Sequence, residues 1–194
     1  PKFFRNSLNL MPDKIPSKKI KTQKIYSPQN GKKISRVALL TGCVQRVISP
    51  EINESTIRLL NRHNVEVVVM PNIECCGSLN HHLGKKEKAK ISFVNNIESW
   101  YEEYLENGLD AIISNTSGCG TTLKDYGHIF KNDRILKKKA KKISELTKDI
   151  TEYLDENLKL NFKENKEKKY KIAYHSACSM QHGQKIHDQP KQLI

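Results

Sequence analysis

Four of the five cysteines in this sequence are spaced as the ligands of one metal centre could be. Thirty-one residues separate Cys43 from Cys75, Cys76 is adjacent to Cys75, and forty-two residues lie between Cys76 and Cys119. Thiolates are soft ligands that bind iron-sulfur clusters, commonly through four cysteines, and zinc, which takes four ligands tetrahedrally. The sequence therefore predicts a thiolate-bound centre, with a cluster and zinc as the alternatives.

The adjacency of Cys75 and Cys76 favours the cluster. A simple zinc knuckle uses cysteine pairs spaced C-x2-C to C-x4-C, and neighbouring cysteines fit that geometry poorly. Three glycines lie beside the cysteines, where their backbone N–H groups could approach the inorganic sulfides of a cluster: Gly77, Gly118 and Gly120. We therefore expect these glycines to assist the four cysteines.

Two histidines follow the adjacent cysteines. His81 and His82 could reach a cluster, a quinone or the flavin of a partner, or they could simply be exposed residues of a loop. Tyr126, downstream of Cys119, is most simply a core residue whose hydroxyl finds a hydrogen-bond partner. The sequence contains no phosphate-binding glycine loop and no paired-carboxylate site, so we predict no catalytic residue in this chain.

Strands and helices alternate along the chain, which predicts an α/β fold with a parallel sheet and helices on its faces. Apolar runs predict strands at 36–41, 65–70, 110–114 and 171–175, and helical spacing predicts helices at 50–62 and 85–105. The four cysteines each follow the carboxyl end of a predicted strand. Because those ends share one edge of a parallel sheet, where ligands bind, residues distant in sequence should meet there.

The net charge of +13 does not indicate a nucleic-acid partner. The excess lies in a proline-containing segment, 1–35, and in 131–171, where acidic and basic residues are interleaved as on a solvated helix. No apolar run reaches the roughly 20 residues of a membrane-spanning helix. We expect a cytoplasmic protein without a transmembrane segment, with peripheral attachment to the inner membrane through a complex as a compatible alternative.

An internal similarity divides the chain. Residues 36–43 and 171–178 both consist of a basic residue, an apolar run, two small residues and a cysteine. We expect 1–35 to be a linker, 36–165 to be a first cysteine-rich module, and 166–194 to be the start of a truncated second module. Cys178 would then be a ligand of a second centre.

Five segments carry a family resemblance. These segments are LLTGCVQRVISPEIN (39–53), ECCGSLNHHLG (74–84), NTSGCGTTLKDYGH (115–128), SELTKDITEYL (144–154) and HSACSMQHGQ (175–184). The pattern resembles the CCG cysteine-rich domain of heterodisulfide reductase, glycerol-3-phosphate dehydrogenase, lactate-utilisation and glycolate oxidase proteins. The iron-sulfur subunit of glycolate oxidase is the most similar of these, from about residue 8 to residue 194.

The resemblance implies an electron-transfer subunit. In that family two ferredoxin-like [4Fe-4S] motifs precede two CCG modules, and a flavin-containing subunit oxidises glycolate. The chain would therefore lack the ferredoxin-like part, would bind a [4Fe-4S] cluster through its four cysteines, and would pass electrons to a quinone or another acceptor. The alternatives are a related lactate, glycerol 3-phosphate or heterodisulfide reductase-like protein, and a structural zinc module. One departure is Thr116, which stands where the broader family has the first cysteine of C-x-x-C.

Overall fold

A computed structural model describes residues 24–28, 31–73, 75–158, 160 and 170–194 of the chain. Its strands are β1 (Lys24–Tyr26), β2 (Ser35–Leu40), β3 (Val65–Val69), β4 (Ala111–Ser114) and β5 (Thr147–Asp149). They form one sheet in the order β1-β3-β2-β4-β5, in which β1 runs antiparallel to β3 and the other neighbours are parallel. This confirms the predicted α/β class with a parallel sheet.

Helices connect the parallel strands. The helices of four or more residues are α1 (Gln45–Ile48), α2 (Pro50–Arg62), α3 (Ser78–His82), α4 (Lys86–Asn107), α5 (Ser117–Ile129), α6 (Lys137–Leu146), α7 (Ile150–Asn157) and α8 (Gln189–Gln192). A π-helical turn spans Ser179–Gly183. Pro50 occupies the first turn of α2, where a missing N–H costs nothing, and Asp149 begins α7 with a capping box.

The sheet separates two apolar clusters because alternate strand residues point to opposite faces. On one face, Ala38 and Leu40 of β2 pack with residues of α4, α5 and α6, including the fully buried Trp100. On the other face, Val37 and Leu39 pack with residues of α2 and α7. The sheet is thus covered by helices on both sides, and its strand ends supply the positions for functional side chains.

Three strand assignments differ from the sequence prediction. β1 lies inside the segment expected to be a linker, and β5 lies inside a region expected to be helical; both have three residues, too few for apolar periodicity to reveal. The predicted strand at 171–175 is wrong: those residues are exposed and have no regular secondary structure. Without a neighbouring strand to pair with, the apolar run there has no ladder to join.

Candidate metal centre

The four predicted ligands lie at the carboxyl edge of the sheet. Cys43 follows β2, Cys75 and Cys76 follow β3, and Cys119 lies in the first turn of α5, directly after β4. Since β3, β2 and β4 are consecutive parallel neighbours, their carboxyl ends bring three separate stretches of chain together. Cys43, Cys75 and Cys76 lie in loops after strands, as predicted, whereas Cys119 lies in the first helical turn after its strand and not in the loop.

Two of the four sulfur atoms are in direct contact. The Sγ atoms of Cys76 and Cys119 are hydrogen-bonded at 3.0 Å, well beyond the covalent disulfide distance of about 2 Å. Cys75 lies close enough to both Cys43 and Cys76 to interact with them electrostatically. Across the described residues, no group of three or more His, Cys, Asp or Glu side chains is already arranged to hold a metal ion. The thiols are therefore neighbours whose side chains would have to reorient around a bound centre.

The thiol pKa values show that these sulfurs influence one another. Hydrogen bonding with Cys119 is the main cause that lowers the pKa of Cys76 to about 7, against burial, and the backbone N–H of Ser78 acts in the same direction. The same hydrogen bond, followed by burial and the charges of the other cysteines, raises the pKa of Cys119. Within this pair the contact therefore favours the thiolate at Cys76 and disfavours it at Cys119.

Cys75 behaves as a buried thiol beside like charges. Burial is the main cause that raises its pKa to about 11, and the nearby Cys43 adds to the shift. The Gly77 N–H donates to the Cys75 Sγ at 3.3 Å and opposes the increase. Four thiols that interact, with backbone N–H groups directed at two of them, are a donor set that suits either an iron-sulfur cluster or zinc.

A buried hydrogen-bond chain fixes the backbone of the two adjacent cysteines. The Tyr126 hydroxyl donates to the Cys76 carbonyl oxygen at 2.8 Å. The Asn96 Nδ2 donates to the Cys75 carbonyl oxygen at 2.9 Å and to the Tyr126 hydroxyl at 3.0 Å. Tyr126 and Asn96 are 0% and 1% exposed, and burial raises the pKa of Tyr126 so that its hydroxyl stays protonated. The core role predicted for Tyr126 is therefore confirmed, while Asn96 was not foreseen.

The three predicted glycines have different surroundings. Gly77 has φ +80°, and a Cβ there would lie 2.5 Å from the Phe93 ring, so a larger residue would disrupt the loop after Cys76. A Cβ on Gly120 would lie 2.8 Å from the Gln184 side chain, whereas one on Gly118 would meet nothing within 4 Å. Their predicted approach to inorganic sulfide remains a prediction.

The two histidines lie at the end of α3 and are exposed. The His81 ring contacts the ring of Phe93, with centroids 5.6 Å apart, and the ring of His82 at 5.7 Å. His81 therefore extends an aromatic contact from the core to the surface beside the Cys75–Cys76 loop. A role for either histidine toward a cluster, quinone or flavin stays a prediction.

Cys178 lies in a segment that packs against α5. It is exposed and directly precedes the π-helical turn, whose Ser179 carbonyl accepts a hydrogen bond from Thr121 Oγ1 at 3.0 Å. The Gln184 Nε2 donates to the Ser117 carbonyl oxygen at 3.0 Å. The start of the expected second module thus contacts the helix that carries Cys119, and the assignment of Cys178 to a second centre remains a prediction.

Comparison with known proteins gives a consistent set of relatives. Residues 37–124 match the family model described as CCG, cysteine-rich domain. The chain is 36% identical to the glycolate oxidase iron-sulfur subunit of Escherichia coli K12, over 93% of this chain and 43% of that protein. It is 29% identical to the probable glycolate oxidase iron-sulfur subunit of Bacillus subtilis, over 100% of this chain and 43% of that protein.

More distant relatives have another substrate in their name. Lactate utilization protein A of a Geobacillus species is 24% identical over 82% of this chain and 64% of that protein. No solved structure matches the chain. The chain spans less than half the length of the two glycolate oxidase relatives. Among the helices in the described ranges, each is too short or too polar to cross a lipid bilayer.

Proposed function

We propose that this chain, whose residues 37–124 match the CCG cysteine-rich domain model, is the cluster-binding part of an iron-sulfur subunit of a glycolate-oxidising complex. The observation that carries the proposal is that four cysteines follow three neighbouring parallel strands and so lie at one edge of the sheet. The 36% identity to a glycolate oxidase iron-sulfur subunit supports the choice of complex. Under this proposal the protein is the electron-transfer component of an oxidoreductase.

We propose that Cys43, Cys75, Cys76 and Cys119 hold the group and that it is a [4Fe-4S] cluster. Such a cluster, when bound, supplies one-electron transfer. The chain itself contributes the four thiolates and the N–H groups of Gly77 and Ser78, which stabilise negative charge on sulfur. Tyr126 and Asn96 hold the Cys75–Cys76 backbone still, which limits the rearrangement that accompanies a change of charge.

Substrate oxidation would take place on a partner. A flavin-containing subunit would remove electrons from glycolate and deliver them to this subunit, which would pass them to a quinone or another acceptor. The cytoplasm, with peripheral contact to the inner membrane through the complex, is the proposed location. We also propose residues 36–165 as the first module and 166–194, with Cys178, as the opening of a second.

Anaerobic purification of the protein tests the cofactor. We expect broad absorption near about 400 nm that bleaches with dithionite, and equal amounts of iron and acid-labile sulfide. A colourless protein with one zinc per chain would instead establish the structural zinc alternative. If the purified protein contains neither iron nor zinc in stoichiometric amount, the thiolate-bound centre is refuted.

Reconstitution with flavin-containing partners tests the electron donor. We expect glycolate to reduce the cluster through such a partner faster than lactate does, because the glycolate oxidase relatives are more similar to this chain than the lactate utilization relatives. Preferential reduction by lactate would support the second candidate, a lactate-oxidising complex. Reduction by neither donor would refute both.

A further inference from the structure

Side-chain amides join the loop after β2 to the loop after β4. The Gln45 Nε2 donates to Asn53 Oδ1 at 2.8 Å and to Asn115 Oδ1 at 2.7 Å. The Gln45 Oε1 accepts from the Thr116 hydroxyl at 2.9 Å. The Gln45 side chain, two residues after Cys43, is therefore bonded to the two residues that directly precede helix α5.

Asn53 is the buried centre of this arrangement. It lies on α2 and is 0% exposed. Its Nδ2 donates to the Thr41 carbonyl oxygen at 2.8 Å, and its Oδ1 accepts from Gln45 and from Asn115, the latter at 2.9 Å. Burying an amide on a core-facing helix costs free energy unless its bonds are made, and an apolar residue there would avoid that cost.

Thr116 gives a second, independent indication. It is the N-cap residue of α5, with extended backbone at φ −135° and ψ 115°, yet its hydroxyl makes no hydrogen bond to the helix. An N-cap hydroxyl normally stabilises its helix by about 1 kcal/mol. Here the hydroxyl instead donates to Gln45, across the sheet edge. The Thr116 hydroxyl thus connects two cysteine-bearing segments and does not cap its own helix.

The four side chains of Gln45, Asn53, Asn115 and Thr116, called here the amide network, enclose the Cys43 loop. Asn53 holds Thr41, two residues before Cys43, and Gln45 lies two residues after it. Asn115 and Thr116 lie four and three residues before Cys119. The network therefore constrains the backbone on both sides of one ligand and on the approach to another.

We propose that the amide network is a positioning device that sets the separation of the Cys43 and Cys119 loops before any metal binds. This inference rests on the proposed function only for the identity of the bound group. The effect of the amide network on the positions of the thiols does not depend on it. Preformed loops lower the ordering cost of binding a centre, and outer-sphere contacts of this kind commonly change metal affinity by about 10-fold to 100-fold. Thr116 acts through Gln45 and is not itself a ligand.

Thr116→Val tests the proposal with little change of shape, because valine replaces the hydroxyl by a methyl group. Thr116→Ser retains the hydroxyl and is the conservative variant. Asn61→Ala is the matched control: Asn61 lies on the same helix, is buried, and bonds to the Tyr26 and Val65 carbonyl oxygens at the opposite edge of the sheet. It tests whether lost stability alone produces the effect.

The first measurement is the rate at which a chelator removes iron from the anaerobically purified protein, with the reduction potential recorded in parallel. We expect Thr116→Val to lose iron roughly 10-fold faster and to shift the potential, and Thr116→Ser to resemble the parent. Asn61→Ala should lower the melting temperature without changing either quantity. Equal rates for Thr116→Val and the parent would overturn the proposal, as would equal acceleration in Asn61→Ala.

A second measurement separates this inference from the proposed function. If the parent protein holds no cluster, the proposed function fails, and Co²⁺ titration of the reduced protein still reports on the four thiols through sulfur-to-cobalt absorption. Co²⁺ binding roughly 10-fold weaker in Thr116→Val than in Thr116→Ser would support the amide network as a positioning device. Equal affinities for the two variants would overturn it.

Discussion

The two edges of the sheet are held together by different chemistry. At the amino edge, Arg36 is 8% exposed and its guanidinium pairs with Glu66 at 2.7 Å and with Glu103 at 2.5 Å. At the carboxyl edge, the contacts around the cysteines are made by amides, hydroxyls and backbone N–H groups. Buried charge pairing thus stabilises the amino edge, and neutral hydrogen bonds surround the cysteines.

The difference has an electrostatic reason. A centre bound by four thiolates carries negative charge, and nearby carboxylates would disfavour it while neutral N–H donors favour it. The amino edge binds nothing in our proposal and can therefore use buried ion pairs. Substitutions at the amino edge should therefore lower the free energy of unfolding, whereas substitutions at the carboxyl edge should change the metal content or the reduction potential.

Cys119→Ser should produce the largest effect and would sharpen the contrast. Removing one of four thiolates should eliminate most of the bound iron and sulfide together, while the melting temperatures of the metal-free parent and variant should differ little, because serine occupies a similar volume. Metal analysis and thermal unfolding measure the two quantities. Cys178→Ser is the control and should retain the first centre; equal iron loss in both variants would contradict the separation of Cys178 from that centre.

Arg36→Met should affect the amino edge alone. It leaves Glu103 partly buried without its cationic partner and Glu66 with only the half-exposed Lys33, which should lower the free energy of unfolding by roughly 3 kcal/mol. Urea unfolding measures this loss, and the reduction potential should stay at the parent value. Lys33→Met removes a half-exposed pair to the same Glu66 at 3.3 Å and should cost less than about 1 kcal/mol. A change of the reduction potential in Arg36→Met would contradict the separate roles of the two edges.

Two tyrosines offer a matched pair across the sheet. Tyr126→Phe removes the hydroxyl that donates to the Cys76 carbonyl and should cost about 1–2 kcal/mol and shift the reduction potential. Tyr153→Phe removes the hydroxyl that donates to Ser35 Oγ at 2.9 Å, at the amino edge. We expect a smaller loss of stability and no potential shift there. Similar shifts in both variants would show that the edges are electrically coupled.

Asp149, at the carboxyl end of β5, should give the smallest effect. Burial raises the pKa of its carboxyl above 3.8, although hydrogen bonds from Thr151 oppose the shift. The folded state then binds the proton more tightly than the unfolded state, so stability should fall as pH rises from 3.8 through the raised pKa. Asp149→Asn should keep the N-cap and remove this decline. Parallel stability curves for parent and variant across that pH range would contradict it.

Much of the cysteine edge could be predicted because its signals are local. Strand-forming runs followed by cysteines indicate both a parallel sheet and the edge where the thiols meet. The buried amides could not be predicted in this way. Helical spacing predicted the helix at 50–62, yet within α2 the apolar Ile52 is 44% exposed while the polar Asn53 is buried. From the sequence alone, an asparagine is expected at the surface. Its burial becomes understandable only when its partners are known, here Thr41 and residues of other loops.

The parallel pairing of β2 with both β3 and β4 also decides when the centre can form. Each pairing joins residues separated by an entire helical connection, and contacts of such sequence separation form slowly during folding. Among the four proposed ligands, Cys75 and Cys76 alone are neighbours on a nascent chain, since Cys43 and Cys119 approach them when the central strands assemble. Cluster insertion should therefore follow assembly of the sheet. The protein that receives the cluster would be already folded, with the carboxyl edge of its sheet still accessible.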